Sequence, residues 1–375
     1  MEQTPFLQKL TQRELDKAGV LINGTSSSDI RVNRTRFYFR LLKGSVGLGT
    51  SYEDGDWDCE RLDEFFFKFL RSPLKSSPIR ILGQLKLDIS NALFNRQTLK
   101  RASVVGKEHY DLGNDLYAAM LDKRMIYTCG FWRDAKNLDE AQEHKLRLIC
   151  EKLQLKKGER VLDIGCGWGG FAKFAAENYG VSVVGVTISK EQALLAQEAC
   201  KNLPVEIRLM DYREMPKKLG TFDKIVSIGM FEHVGPKNYR AYMSAAEGCL
   251  KDDGLFLLHT IGRSSHIAPA DPWIDRYIFA NGMLPTMEEI TRSSHSLFVI
   301  EDWHNFGADY DKTLMAWHAN FEKAWPKLKA AYGENFRRRF RYYLLSCAAA
   351  FRARDIHLWQ IVLTKRMLGG YTSIR

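Results

Sequence analysis

No stretch of this chain stays apolar for the roughly 20 residues that a helix needs to cross a bilayer. The first ten residues, Met1 to Leu10, are too polar to hold the apolar segment of a secretory signal. Both absences lead to the expectation of a soluble or peripheral protein. The seven cysteines (Cys59, Cys129, Cys150, Cys166, Cys200, Cys249 and Cys347) are odd in number and never fall into a Cys-x-x-Cys pair or a zinc-ligand spacing. They read as reduced thiols in a cytoplasm, with no disulfide framework and no metal site. Internal repeats and low-complexity tracts are missing as well. Apolar residues, by contrast, make up 45% of the 375 positions, enough to fill the core of one large domain or two ordinary ones. Acid is scarcer than base, 45 Asp and Glu against 55 Lys and Arg, for a net charge of +10. That excess favours an anionic partner: nucleic acid, an acidic ligand or an anionic lipid surface.

Up to about residue 70, helical patterning alternates with glycine turns at Gly19, Gly24, Gly44, Gly47, Gly49 and Gly55. Leu62 to Leu70 reads as a short helix with an apolar face, and Arg71 to Pro78, with two prolines and three serines, as a connection. Ile79 to Leu99 again has helical patterning. The expected organisation is a small, mainly helical N-terminal domain over residues 1–95 and a catalytic domain over 96–375. From Arg160 onward, β-branched runs alternate with helical segments, which predicts βαβ units and a mostly parallel sheet. Strands are expected at Arg160–Ile164, Val181–Val186, Val205–Leu209, Lys224–Ile228 and Leu255–His259, with two more near Phe298–Trp303 and Trp359–Thr364. Asp309 to Asp355 is helical, with aromatics from Trp317 to Phe351, and far too long for a hairpin connection. It is expected to form a lid or wall over the ligand edge of the sheet.

The strongest motif is Val161-Leu-Asp-Ile-Gly-Cys-Gly-Trp-Gly-Gly170. An apolar strand ends in an acid and runs into a Gly-x-Gly-x-Gly turn that opens a helix. Gly165, Gly167 and Gly169 permit positive φ and close approach of a ligand to the backbone. A dinucleotide would seat its pyrophosphate on such a helix N-terminus. Asp163, however, precedes the first glycine, where a carboxylate repels pyrophosphate and suits the ammonium group of a cationic amino acid. The rest of the dinucleotide glycine spacing is also missing, so the motif points to the methyl donor S-adenosylmethionine. The next strand, Val183-Val-Gly-Val-Thr-Ile-Ser189, lacks the acid that many nucleotide binders aim at the ribose. Thr187, Ser189 and Gln192 are the hydrogen-bonding candidates there, Ser189 being equally suited to cap the next helix. After the third strand, Asp211, followed by Tyr212, is suited to the adenine amino group.

On the acceptor side, the fourth strand ends in Gly229-Met-Phe-Glu-His-Val-Gly235. It carries neither the Asn/Asp-Pro-Pro-Tyr pattern of exocyclic-nitrogen methylation nor a Pro-Cys pair for attack on a pyrimidine, which lowers the nucleic-acid reading. Glu232 and His233 occupy that sheet edge, with His259 and Ile261 at the corresponding edge after the next strand.

These residues, together with Val105 to Asp115, Phe306-Gly-Ala-Asp-Tyr-Asp311 and Phe351-Arg-Ala-Arg-Asp355, resemble the cyclopropane fatty acid synthase family from about Ala18 to the C-terminus. The resemblance implies a Rossmann-like class I methyltransferase α/β fold with helical insertions. It also implies a reaction in which the methyl of S-adenosylmethionine becomes a methylene bridge across a cis double bond of a phospholipid acyl chain. An alkene needs no deprotonation to accept the methyl. The carbocation that results must be shielded from water, aromatic faces can stabilise it, and a base must remove a proton from the new methyl before the ring closes. By resemblance that base is a bicarbonate ion held by Cys129, Glu232, His259, the backbone of Ile261, and Tyr310. Tyr127 and Thr128 match a donor-contacting pair, and Cys347 matches a cysteine sometimes marked as active. The family also implies a homodimer on an anionic phospholipid bilayer, at the inner face of the cell membrane, and no nucleic-acid partner.

Lys100-Arg101, Lys107 and Arg337 to Arg341 are candidate basic patches for that surface. Two rival readings are a methyltransferase that stops after methyl transfer and a basic RNA-binding module with an inactive cofactor fold; steep salt dependence would mark the latter.

Overall fold

The computed structural model describes residues 3–73, 113–264 and 271–375. The expected helix Ile79–Leu99 and the basic residues Lys100, Arg101 and Lys107 lie outside them. Two compact units share the described residues, one built from 3–73, 271–280 and 310–356, the other from 113–264, 281–309 and 357–375.

The first unit is mainly helical. Its helices are Gln3–Asp16, Arg36–Leu41, Gly44–Glu53, Leu62–Arg71, Pro272–Tyr277, most of Ala308–Tyr332, and Glu334–Arg352, and two short strands, β1 (Arg31–Val32) and β2 (Trp57–Asp58), pair antiparallel. Leu62–Arg71 has acids in its first turn (Asp63, Glu64) and bases in its last (Lys68, Arg71), the polarity that favours a helix dipole. Its Phe65 and Phe66 are buried, Phe65 against Trp57 and Phe66 edge-on to Tyr342. Gly44, Gly47 and Gly49 form helix instead of the expected turns. For Gly47 and Gly49 the reason is close packing: a Cβ on Gly47 would sit 1.8 Å from the Arg40 carbonyl oxygen, and one on Gly49 would sit 2.4 Å from the Trp273 ring, while Gly44 opens the helix at φ +63°.

Arg337 to Arg341 do not form the free basic patch expected of them. Arg337 pairs with Glu322, Arg338 with Asp58 and the Tyr52 carbonyl, and Arg339 with buried Glu53, while Arg341 donates to the Glu60 carbonyl. These arginines tie Glu334–Arg352 to the rest of its own unit.

The second unit holds a seven-stranded sheet of β3 (Arg160–Ile164), β4 (Ser182–Thr187), β5 (Val205–Leu209), β6 (Phe222–Ile228), β7 (Leu250–Arg263), β8 (Val299–Asn305) and β9 (Ile356–Thr364), in the order β5-β4-β3-β6-β7-β9-β8. β3 pairs parallel with β4 and β6, β4 with β5, and β6 with β7; β8 and β9 are antiparallel. The seven expected strands all form, and the α/β, Rossmann-like class holds. Central β3 buries Val161, Leu162 and Ile164, the continuous apolar run of a strand covered on both faces. From β3 the sheet grows outward through β4 on one side and β6 on the other. That reversal opens a crevice beyond the C-terminal ends of these strands, where ligands bind in open α/β sheets. Among the described residues, no helix is long and apolar enough to cross a membrane.

Candidate active site

β3 delivers Asp163 and then turns at Gly165. The Gly165 and Cys166 N–H groups both donate to the Val186 carbonyl of β4, at 2.9 and 3.0 Å, and this folds the loop back over the sheet edge. Gly165 has φ +86°, and a Cβ there would lie 2.7 Å from the Met230 side chain, so the residue is glycine for two independent reasons. Asp163 is buried, its Oδ2 has no hydrogen-bond partner among the described residues, and burial pushes its carboxyl up to about 7. An orphaned carboxylate at the end of β3 fits a ligand's ammonium group and not a pyrophosphate. Beside the loop, Trp168 packs against Tyr117, which meets Tyr127 edge-on.

The strip 127–129 lies against the next strand end. Gly229, which ends β6 at φ +68°, leaves room for the Thr128 methyl group, 2.6 Å from where a Cβ would stand. Two side chains of the helix Leu138–Lys152 hold the strip: Gln142 Nε2 donates to the Thr128 carbonyl and Lys145 Nζ to Thr128 Oγ1, each at 2.8 Å. Cys129 is fully buried, with its thiol 3.1 Å from the Gly130 carbonyl.

Glu232 follows in a short 3-10 turn, Phe231–His233. Its Oε1 accepts the Ile261 N–H at 2.7 Å, its Oε2 is buried without a partner among the described residues, and burial raises the carboxyl to about 7. His259, level with the end of β6 in the β6/β7 register, is buried too. Gln360 Nε2 lies 3.3 Å from His259 Nδ1; with that amide as donor, the ring proton sits on Nε2, which has no partner among the described residues. Burial first, then the charges of Lys145 and Lys152, push the imidazole well below its ordinary value, so it is neutral at pH 7. Burial thus leaves the Glu232 carboxyl partly protonated near pH 7 and the imidazole neutral. Each then offers a hydrogen, an unusual pair of donors for an anion.

The remaining candidates are engaged locally. Thr187, Ser189 and Gln192 satisfy one another: Ser189 Oγ caps the following helix at Gln192 N–H, and Thr187 Oγ1 lies 3.0 Å from Gln192 Oε1. Asp211 accepts the Arg213 N–H and pairs with the Arg213 guanidinium at 2.9 Å. Tyr212 is buried edge-on to Tyr242. Tyr310 and Cys347 belong to the helical unit. There Tyr310 stacks on Phe351, and burial pushes the Cys347 thiol up to about 12.

Sequence reading had missed Gln142, Lys145 and Gln360. A signal for the first two was present: Leu138, Ala141, Gln142, Lys145, Leu146 and Ile149 form one buried helical stripe, and two of its members are polar.

Residues 97–361 match the family model described as mycolic acid cyclopropane synthetase. Cyclopropane-fatty-acyl-phospholipid synthase of Escherichia coli is 55% identical over 369 residues, covering 98% of this chain and 96% of its own. That alignment reaches nearer the N-terminus than the expected start at Ala18. A probable fatty acid methyltransferase of Pseudomonas putida is 38% identical over 71% of this chain and 70% of its own. Among solved structures, the cyclopropane synthase MmaA2 from Mycobacterium tuberculosis superposes with a TM-score of 0.65 at 32% identity, covering 70% of this chain and 98% of that one. A mycolic acid cyclopropane synthase, CmaA1, in complex with SAH and CTAB gives the same values. The chain therefore belongs to the mycolic acid cyclopropane synthetase family and is an S-adenosylmethionine-dependent enzyme of class I methyltransferase fold.

Proposed function

We propose that the enzyme transfers a methylene group from S-adenosylmethionine to the cis double bond of unsaturated acyl chains in membrane phospholipids, closing a cyclopropane ring, with bicarbonate as the base. The observation that carries this reading is the pair of buried orphans, Glu232 Oε2 and His259 Nε2. A partly protonated carboxyl and a neutral imidazole can both donate to an anion where two bare negative charges would repel. Bound there, bicarbonate supplies the base that takes a proton from the transferred methyl. The chain's own groups do the rest. Ile261 N–H fixes the Glu232 carboxyl, Gln360 fixes the ring orientation of His259, and Cys129 completes the sheet unit's share of the anion's shell. Asp163 receives the donor's ammonium group, the 127–129 strip lies along the donor, and Thr187, Ser189, Gln192, Asp211 and Tyr212 border its nucleoside. Tyr117, Tyr127 and Trp168 contribute aromatic faces suited to a passing cation.

The acyl chain is reached from an anionic bilayer at the inner face of the cell membrane, by a homodimer whose N-terminal part engages lipid. Exposed Phe6, Leu10, Phe39 and Leu42, among exposed Lys9, Arg13 and Lys43, support that part of the reading.

The test is to incubate the enzyme with labelled donor and vesicles of cis-unsaturated phospholipid, with and without bicarbonate, and to resolve the lipid product. Ring formation that falls in carbon-dioxide-free buffer and returns with added bicarbonate is expected. A methylated chain that keeps its double bond would refute cyclopropanation, and full activity without bicarbonate would refute the base.

A further inference from the structure

Lys145 is fully buried, and among the described residues no carboxylate lies within ion-pair distance of its ammonium. A lysine without an ionic partner is rarely kept in a core for packing, since desolvating its charge is costly. Among the described residues its hydrogen-bond partner is Thr128 Oγ1 at 2.8 Å, and Thr128 in turn fills the space above Gly229. The ammonium therefore sits where the 127–129 strip meets the strand ends, among the groups assigned to donor and anion. The charged and titratable groups that face it are Asp122, Cys129 from the strip, Asp163 from β3 and His259 from β7. Asp163 itself also faces Cys166, Cys200 and, across the core, Tyr242. Lys145 is the cation that offsets the burial of Asp163.

We propose that Lys145 is a positioning residue whose positive charge, anchored through Thr128, lets Asp163 present an anionic carboxylate to the ammonium group of the donor. The same charge adds, with that of Lys152, to the burial that keeps His259 neutral, so one buried lysine bears on both halves of the site. This rests on the donor assignment under Proposed function. A purely structural Lys145 would only hold Thr128, a task that needs a hydrogen-bond donor and no charge.

The two roles separate in the pH dependence of S-adenosylhomocysteine binding to the full chain, followed by calorimetry without lipid or bicarbonate. Wild-type affinity is expected to fall about tenfold per pH unit as pH drops below the Asp163 midpoint. In Lys145→Met and Lys145→Gln that midpoint moves up by about one pH unit or more, the effect of losing a neighbouring opposite charge. Affinity at pH 7 then drops about fivefold or more. Lys145→Arg keeps the wild-type midpoint even where its affinity changes. Lys145→Gln retains a donor for Thr128, so it remains informative where Lys145→Met does not fold. An unshifted midpoint in either folded neutral variant overturns the proposal. So does wild-type affinity that is flat between pH 5.5 and 7.5, a result that needs no variant. Failure of the wild-type chain to bind S-adenosylhomocysteine at any pH would instead overturn the donor assignment.

Discussion

Replacing Glu232 by glutamine should stabilise the unliganded protein while abolishing ring formation. The folded site holds the Glu232 proton more tightly than the unfolded chain does, because the ionised form is desolvated. Stability from the protonated carboxyl is therefore fully present below its ordinary value of 4.5 and is lost as pH rises through about 7. A rise from 4.5 to about 7 is worth about 3 kcal/mol, at about 1.4 kcal/mol per pH unit within the window. Glutamine has the same shape, can keep the 2.7 Å bond from Ile261 N–H, and does not ionise. Below pH 4.5 the two proteins should thus differ little, since a protonated carboxyl and an amide each leave one polar atom unpaired. At pH 8 the E232Q variant should be more stable by about 3 kcal/mol. Urea titrations at pH 4.5, 6, 7 and 8 measure this difference directly. A gain at pH 8 no larger than that at pH 4.5 would refute the reasoning, because it would mean that the wild-type carboxylate is not penalised by burial. Stability gained where activity is lost is what a strained functional group gives up on replacement.

Gly229→Ala should cost about 1–2 kcal/mol in backbone strain at φ +68°. Because it also displaces Thr128, it should lower S-adenosylhomocysteine affinity at least about tenfold, a loss measurable by calorimetry. Arg339→Glu should destabilise the helical unit by about 3 kcal/mol in urea titration, since it leaves buried Glu53 facing a like charge. Cys347 should react with iodoacetamide at pH 8 at least about 100-fold more slowly than a free cysteine, because burial leaves almost none of it as thiolate; mass-spectrometric mapping of the alkylated protein would show this.

The sheet was legible because strands buried on both faces read as apolar β-branched runs, and these patterns are local. β7 runs longer than the expected Leu255–His259, reaching Arg263, whose N–H donates to the Pro285 carbonyl, a partner distant in sequence. The helix Gly44–Glu53 was read as turns because three glycines usually mean turns. Only the nearby Arg40 carbonyl and Trp273 ring, the latter more than 200 positions away, show that Gly47 and Gly49 serve close packing. The basic run Arg337 to Arg341 looked like a free surface because its partners, from Glu53 to Glu60 and at Glu322, are likewise remote. Asp163, Glu232 and His259 stood out through their positions after strands. Lys145 did not, because a lysine in an amphipathic helix normally marks the solvated face, and its place on the buried stripe emerges only when the face is traced residue by residue.

The helical unit is assembled from three separated stretches of chain, and this bears on how the protein is made. Tyr52 and Phe66 find Tyr342, and Glu53 finds Arg339, only after nearly the whole polypeptide has been synthesised. Until then the N-terminal stretch leaves the ribosome with Tyr52 and Phe66 lacking their ring partner Tyr342, a long-range closure of the sort that slows folding and invites aggregation. Chain termination before Arg339 should therefore yield an insoluble fragment instead of a shorter folded one, even though the first 73 residues already contain four helices.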